Sequence, residues 1–316
     1  MGGENGGVSD EVVGERSNDG LLDGVSTALQ RAGRKFELSE LRFLGAGFSV
    51  SVVRAGPDLV VRVPGTEDAA ARGRRMAEVL GALPELPARV PEVVEVLPAQ
   101  ESLEHGALVH VWLPGEPVSA GLVRSHGSAL AGETAQFLAA LHAVDSPKLE
   151  AVLRRTPAEV GLRRSVEEAE LWPPDPVVEL VAGRLAGPEV AAFGRWRAEY
   201  RDWIAEVGRP VALHGDFWHG NLVAREGRLA AVVDWEDARL GDRAADLCGL
   251  WCLGAEFGAA VLSRYAELTG IDSGALGWGV AVNRVRRELR GVEWSVRHDD
   301  ADELEASIVK VRAALG

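Results

Sequence analysis

The spacing of apolar positions along this chain changes from helical to alternating and back. From Leu21 to Ala32 the apolar residues Leu21, Leu22, Val25 and Leu29 recur at helical intervals, which predicts a first helix. Leu41–Arg54 then reads LRFLGAGFSVSVVR, followed by AGPD and LVVRVP. This predicts two strands around a glycine turn, a Gly-Pro-Asp turn, and a third strand. Glu67–Leu83 is Ala-rich and helical, Pro84–Pro91 is a Pro-rich loop, and Val93–Leu97 and Ala107–Leu113 read as two more strands. Leu113-Pro114-Gly115-Glu116-Pro117 breaks the pattern as a hinge would. Beyond it helices dominate. Ser128–Val144 is amphipathic through Leu130, Thr134, Phe137, Leu138 and Leu141. Pro188–Val207, Ala244–Gly254, Ala255–Thr269, Gly277–Arg297 and Asp302–Leu315 follow. Residues 146–187 have helical flanks around a Leu171-Trp172-Pro-Pro-Asp-Pro loop. Residues 1–20, rich in Gly, Ser, Asn and acids, read as a disordered leader.

A chain of 316 residues is too long for one small core and suits two lobes around a cleft. The pattern predicts an α+β protein, with an N-lobe at 21–113 built on a five-stranded antiparallel sheet and a mainly helical C-lobe at 114–316.

Residues 211–247 concentrate the candidate chemistry. Three short apolar runs, Val211–Leu213, Leu222–Ala224 and Leu229–Val233, carry polar residues at their ends. The first delivers His214, Gly215 and Asp216 and leads by a tight loop to Asn221; the last delivers Asp234. Two carboxylates and an amide at strand ends can converge on one point. That oxygen-rich set suits a hard cation such as Mg²⁺, which keeps water and substrate phosphate in its shell. A carboxylate left off the metal can accept a proton from an attacking hydroxyl.

These residues carry a resemblance. His214-Gly-Asp216-Phe-Trp-His-Gly-Asn221, then Asp234-Trp-Glu, then Gly241-Asp242-Arg-Ala-Ala-Asp246-Leu, resembles the aminoglycoside phosphotransferase family, which is similar in fold to the protein kinases. The resemblance spans roughly residues 40–300. It implies Asp216 as catalytic base and Asn221 and Asp234 as metal ligands. It implies His214, Asp242 and Asp246 as structural, and His142 as a brace of the catalytic loop. His219 stands where relatives commonly have Pro, and no mechanistic use for it follows. The Gly45, Gly47 and Ser49 hairpin would cover the nucleotide phosphates, although Gly-x-Gly alone marks only a turn. Arg62 would grip phosphates where protein kinases use Lys, bidentately as Arg allows; an outward-facing strand residue is the plainer alternative. Its expected acidic partner is not evident: Met76 stands at that position, and Glu78, two residues on, would face another side of the helix. The backbone of Val111 to Leu113 would bind the adenine edge, with Trp112 packing beside it rather than stacking on adenine. The cofactors implied are ATP and Mg²⁺. The acceptor is a hydroxylated small molecule, with an aminoglycoside-type antibiotic as the leading class. A macrolide, a nucleoside antibiotic or a choline- or homoserine-like metabolite are alternatives within the family, and a nucleotide-binding pseudoenzyme is the alternative outside it.

Composition adjusts this picture in a few places. The net charge of −14 argues against nucleic acid as a partner and is compatible with a cationic acceptor. No apolar run reaches the ~18 residues of a membrane span, and the first residues lack the basic and apolar regions of a signal peptide, so a cytoplasmic protein is expected. Cys248 and Cys252, spaced i, i+4, read as two small buried residues on one helix face. The aromatic stripe Phe193, Trp196, Tyr200 and Trp203 reads as core. The acidic run Asp299, Asp300, Asp302, Glu303 and Glu305 reads as a helix start more than as a binder of a cationic acceptor.

Overall fold

The five expected N-terminal strands form one antiparallel sheet. In the computed structural model, which describes residues 10–47, 49–155, 175–206 and 208–316, the chain divides into two compact units. One comprises the residues up to Leu83 with Arg89–Pro114; the other comprises Pro84–Ala88 with Gly115–Gly316.

In the first unit α1 (Asp10–Arg31) precedes β1 (Leu41–Ala46), β2 (Val50–Ala55), β3 (Leu59–Pro64), α2 (Glu67–Leu80), β4 (Val93–Leu97) and β5 (Ala107–Val111). The strand order is β1-β2-β3-β5-β4. Side chains alternate across a strand, so Val53 and Ala55, Val61 and Val63, and Ala107 and Val109 line one face. Against that face α1 packs Val25, Ala28 and Leu29. Leu29 is fully buried, a burial that contributes about 1.5–3 kcal/mol. α1 begins at Asp10, inside the stretch expected to be a leader, whose residues 1–9 lie outside the described residues. Once a helix is nucleated each further residue adds a hydrogen bond, so it can run beyond the apolar stripe that periodicity detects.

The second unit contains β6 (Glu116–Pro117), α3 (Ala120–His142), α4 (Pro147–Arg154), α5 (Asp175–Ala182), α6 (Pro188–Glu206), β7 (Val211–Leu213), β8 (Leu222–Arg225), β9 (Arg228–Val232), β10 (Arg239–Gly241), α7 (Ala244–Cys248), α8 (Ala255–Thr269), α9 (Ser273–Arg297) and α10 (Ala301–Leu315). The three apolar runs of the central stretch part company here. β8 and β9 form a hairpin flanked by β6, whereas β7 pairs with β10, too short and polar to be seen as an apolar run. α3 starts earlier than its apolar spacing suggests, because the Ser119 side chain caps it by accepting the Leu122 N–H at 3.3 Å. A non-helical residue at His126 separates this first turn from the amphipathic part.

The aromatic stripe is core, as the sequence suggests. Phe193, Trp196 and Tyr200 of α6 stack in succession, with Phe193–Trp196 centroids 5.7 Å apart and Trp196–Tyr200 centroids 5.4 Å apart. They pack with Val282, Val285 and Leu289 of α9 and Ile308 of α10. Asp300 caps α10 by accepting the Glu303 N–H at 2.9 Å, which gives the acidic run its helix-start role. The cysteines need a correction. Cys248 is buried at the end of α7, but Cys252 is exposed, because the helix tightens into a 3₁₀ turn at Gly249–Leu253 and turns the second thiol outward. The Leu171–Pro174 part of the expected loop lies outside the described residues.

Candidate active site

β7 ends at Leu213, and the loop after it is held by a buried carboxylate. Asp246 of α7 is wholly buried and accepts the His214 N–H at 2.8 Å and the Gly215 N–H at 2.9 Å. His142, at the end of α3, places Nε2 3.3 Å from Asp246 Oδ2 and Nδ1 2.8 Å from the Tyr265 hydroxyl. An Nε2–H donating to the carboxylate and a tyrosine O–H donating to Nδ1 satisfy all three groups. Burial alone would push the Asp246 carboxyl up, but hydrogen bonding and charge from His142, the charge of His214 and the Gly215 N–H together hold it below the usual carboxylate range.

Gly215 adopts φ +91°, and a Cβ there would lie 2.0 Å from the Asp237 carbonyl oxygen and 2.4 Å from Arg239 Nη1. Only glycine fits this turn. Buried Arg239 closes it from below by donating to the Gly215 carbonyl at 2.9 Å and the Asp237 carbonyl at 3.2 Å. His214 is packed between Trp235 and Phe217, at centroid distances of 4.7 and 5.7 Å. Its Nε2 donates to the Val233 carbonyl at 2.9 Å, while its Nδ1 accepts the Asp216 N–H at 3.3 Å.

Asp216, Asn221 and the residue before Asp234 are thereby tied together. Asn221 Nδ2 donates to the Asp216 carbonyl at 2.9 Å and to Asp216 Oδ2 at 3.1 Å. The Asn221 carbonyl accepts the Val233 N–H at 2.9 Å. With Val233 gripped on both its N–H and its carbonyl, Asp234 leaves the strand at φ +65°, a left-handed conformation that costs a non-glycine residue about 1–3 kcal/mol. Burial raises the Asp216 carboxyl above the usual range, opposed by the Arg287 charge and reinforced by Asp237 and Asp234. This loop thus offers a carboxylate that can take a proton, an amide whose Nδ2 is already engaged so that Oδ1 remains as donor atom, and a second carboxylate. Among the described residues no cluster of three or more His, Cys, Asp or Glu side chains could hold a metal ion alone. The oxygen-only pair Asn221 and Asp234 fits a cation that completes its shell with water and phosphate.

Asp242 supports the same region. Its Oδ1 accepts the Ala244 N–H at 3.0 Å at the start of α7, and its Oδ2 accepts Trp203 Nε1–H at 2.8 Å and Asn283 Nδ2–H at 2.7 Å. His219 sits edge-on to Trp218 with ring centroids 4.6 Å apart.

One group escapes a reading of the sequence: Arg287 of α9, with Nη2 3.7 Å from Asp216 Oδ1 and its guanidinium 5.9 Å from the Trp218 ring centre. A signal is present. Asn283, Arg286, Arg287 and Arg290 follow i, i+3, i+4, i+7 and share one helix face.

In the first unit, Gly45 lies at the β-bulge of β1 against β2, and Gly47 donates its N–H to the Val50 carbonyl at 2.9 Å, closing the hairpin turn. The Ser49 hydroxyl accepts from Arg72 Nη2 at 2.9 Å, and its carbonyl accepts the Gly65 N–H at 2.8 Å. Arg62 alternates with buried Val61 and Val63 and therefore projects from the sheet face opposite α1. Met76 is buried and Glu78 exposed on α2. The Val111 N–H donates to the Glu92 carbonyl at 3.0 Å and the Trp112 N–H to the Asp58 carbonyl at 2.7 Å, while the His110 Nδ1 lies 3.3 Å from the Val111 carbonyl, so the Val111 and Trp112 N–H groups are both engaged by backbone carbonyls of this unit. Arg54 covers the Trp112 ring at 4.7 Å, consistent with packing.

A five-stranded antiparallel sheet unit followed by a mainly helical unit carrying this loop is the kinase-like fold of small-molecule phosphotransferases. The GDP complex of aminoglycoside 2′-phosphotransferase-IIIa superposes with a TM-score of 0.74 over 94% of this chain and 98% of that one, at 15% identity. Macrolide 2′-phosphotransferase MphH from Brachybacterium faecium superposes with a TM-score of 0.66 over 92% and 97%, at 22% identity. In sequence, residues 40–281 match the model of the phosphotransferase enzyme family, and the chain belongs to that family. Viomycin phosphotransferase of Streptomyces vinaceus is 29% identical over 268 residues, covering 79% of this chain and 85% of that one.

Proposed function

We propose that this enzyme transfers the γ-phosphoryl group of ATP to a hydroxyl of a small-molecule antibiotic. The observation that carries the reading is the Asp216–Asn221 hydrogen bond at 3.1 Å, on a loop whose neighbouring strand presents Asp234. Asp216 accepts the proton of the acceptor hydroxyl as its oxygen bonds to phosphorus, and the bond to the β-phosphate oxygen breaks to release ADP. Asn221 and Asp234 hold Mg²⁺, which neutralises phosphate charge when bound. Asn221 also keeps Asp216 Oδ2 fixed, leaving Oδ1 to meet the acceptor. His214, His142 and Asp246 keep the loop in place.

Residues 21–113 act as the nucleotide-binding part, through Gly45, Gly47 and Ser49 at the phosphates, Arg62 as the phosphate-gripping cation, and Val111 and Leu113 at the base. Residues 114–316 carry catalysis and acceptor binding. The names of the relatives, which act on viomycin, aminoglycosides and macrolides, support an antibiotic acceptor. Use of ATP fits a cytoplasmic enzyme, and among the described residues no helix is long and apolar enough to cross a membrane. The test is incubation with Mg²⁺ and ATP against a panel of hydroxylated antibiotics and metabolites, followed by mass spectrometry. One compound should gain about 80 Da, one phosphoryl group. A panel with no gain in the presence of bound ATP contradicts the reading.

A further inference from the structure

The proposed base has a cationic neighbour that the phosphotransfer chemistry above does not use. Asn221 occupies Asp216 Oδ2. The other oxygen, Oδ1, faces Arg287 Nη2 at 3.7 Å, a charge contact too long to be a hydrogen bond. The guanidinium lies over Trp218, and about a third of the Arg287 side chain remains exposed.

Its position is built into the fold. A Cβ at Gly249 would lie 2.4 Å from Arg287 Nη1 and 2.2 Å from the Phe217 carbonyl oxygen, so the missing side chain of Gly249 makes the space through which the arginine reaches the loop. Arg286 and Arg290, from the same helix face, belong to the same charge cluster: Arg290 interacts electrostatically with Asp216 and Asp237 as well as with Arg239 and Arg286, while Asp237 and Asp234 place carboxylate charge beside Asp216. The whole-chain charge of −14 therefore does not describe the surroundings of Asp216.

Chemistry follows from this geometry. A guanidinium offers five N–H donors in a planar fork and no acceptor. It binds oxygen and repels an ammonium group. With Arg287 Nη2 3.7 Å from Asp216 Oδ1, a hydroxyl held by Oδ1 has the guanidinium within reach of a substituent on a neighbouring carbon.

Resting on the phosphotransfer reading of Asp216, we propose that Arg287 is an acceptor-binding residue that selects acceptors carrying an oxygen, rather than an amine, on the carbon beside the hydroxyl that is phosphorylated. Amines elsewhere on the acceptor are unaffected by this rule. What is excluded is a cation next to the reacting oxygen.

The test uses matched probes: two kanamycins that differ only by a hydroxyl or an amine beside a free hydroxyl, and the corresponding pair of methyl glycosides. Binding is measured by calorimetry with a non-hydrolysable ATP analogue present, and transfer by mass spectrometry, for the natural chain and for Arg287→Gln, Arg287→Glu and Arg287→Lys. The natural chain should favour the hydroxyl member. Arg287→Gln should weaken that member about ten- to a hundredfold, as loss of a charge-assisted hydrogen bond does, and should bind the amine member more tightly because the repulsion is relieved. Arg287→Glu should reverse the preference, and Arg287→Lys should restore part of it. A purely structural arginine would lower both members alike, and an unchanged ratio overturns the proposal. Transfer with an unmoved ratio removes this inference and leaves the phosphotransfer reading standing. A shifted binding ratio without transfer removes the phosphotransfer reading and leaves Arg287 as a ligand-binding residue that prefers oxygen to an amine. Failure of either pair to bind the natural chain overturns the selection rule.

Discussion

Asp246 Oδ2 accepts the backbone N–H of His214 at 2.8 Å while His142 Nε2 lies 3.3 Å from the same oxygen, so one buried carboxylate joins the end of α3 to the loop that carries Asp216. This relationship makes the loop a part of the core. Asp246→Ala should destabilise the protein by about 3–5 kcal/mol, the usual result of leaving buried partners of a charge unmatched. Urea denaturation measures it, and a loss under about 1 kcal/mol, the range of an ordinary surface contact, would show that the carboxylate is incidental.

The same group sets a pH dependence. Its carboxyl sits below the usual range in the folded chain, against about 3.9 when unfolded. A depressed carboxylate contributes stability that is present in full above the unfolded value and is lost as pH falls through the folded one. Stability followed into acid should therefore fall less steeply below about pH 4 in Asp246→Asn than in the natural chain. Parallel curves would argue against the assignment.

Gly215 is a backbone requirement. With φ +91° and the Asp237 carbonyl oxygen only 2.0 Å from where a Cβ would stand, Gly215→Ala should cost at least about 2 kcal/mol, from a left-handed backbone and a steric clash. Phosphotransfer should fall further than stability does, since the displaced segment is the one holding Asp216. Thermal melts and initial rates on one preparation separate the two effects.

The two thiols should differ in reactivity. Cys252 is exposed, whereas Cys248 is buried and its thiol is pushed up to about 11 by burial, with Asp246 and Glu288 reinforcing the shift and Arg287 and Arg286 opposing it. Since the thiolate is the reactive form, a thiol reagent at mildly alkaline pH should label Cys252 quickly and Cys248 only when the chain unfolds. Two thiols of equal rate in the native protein would contradict this placement.

Much of the fold is readable in the sequence because it depends on local signals. Val93–Leu97, Val211–Leu213 and Ala255–Thr269 run between the same residues in the sequence and in the structure, since apolar spacing and flanking turn residues mark both ends. The His214–Asn221 stretch is visible because its polar residues cluster at the ends of short apolar runs. What escapes depends on distance in the chain. β10 is polar and exists through pairing with β7. The start of α3 is set by the Ser119 cap and not by an apolar stripe. Cys252 turns outward because the helix tightens at Gly249. Arg287 lies 71 positions beyond Asp216, and only the fold brings its guanidinium to that carboxylate.

Phosphotransfer through Asp216 is tested most simply by the rate of transfer in Asp216→Asn. The substitution keeps the size of the side chain and removes the proton acceptor. With Mg²⁺, ATP and the acceptor identified by its mass gain, kcat should fall by about 10²–10⁴-fold while the melting temperature stays close to that of the natural chain. A folded Asp216→Asn protein that phosphorylates the acceptor at an undiminished rate would contradict the role assigned to this carboxylate.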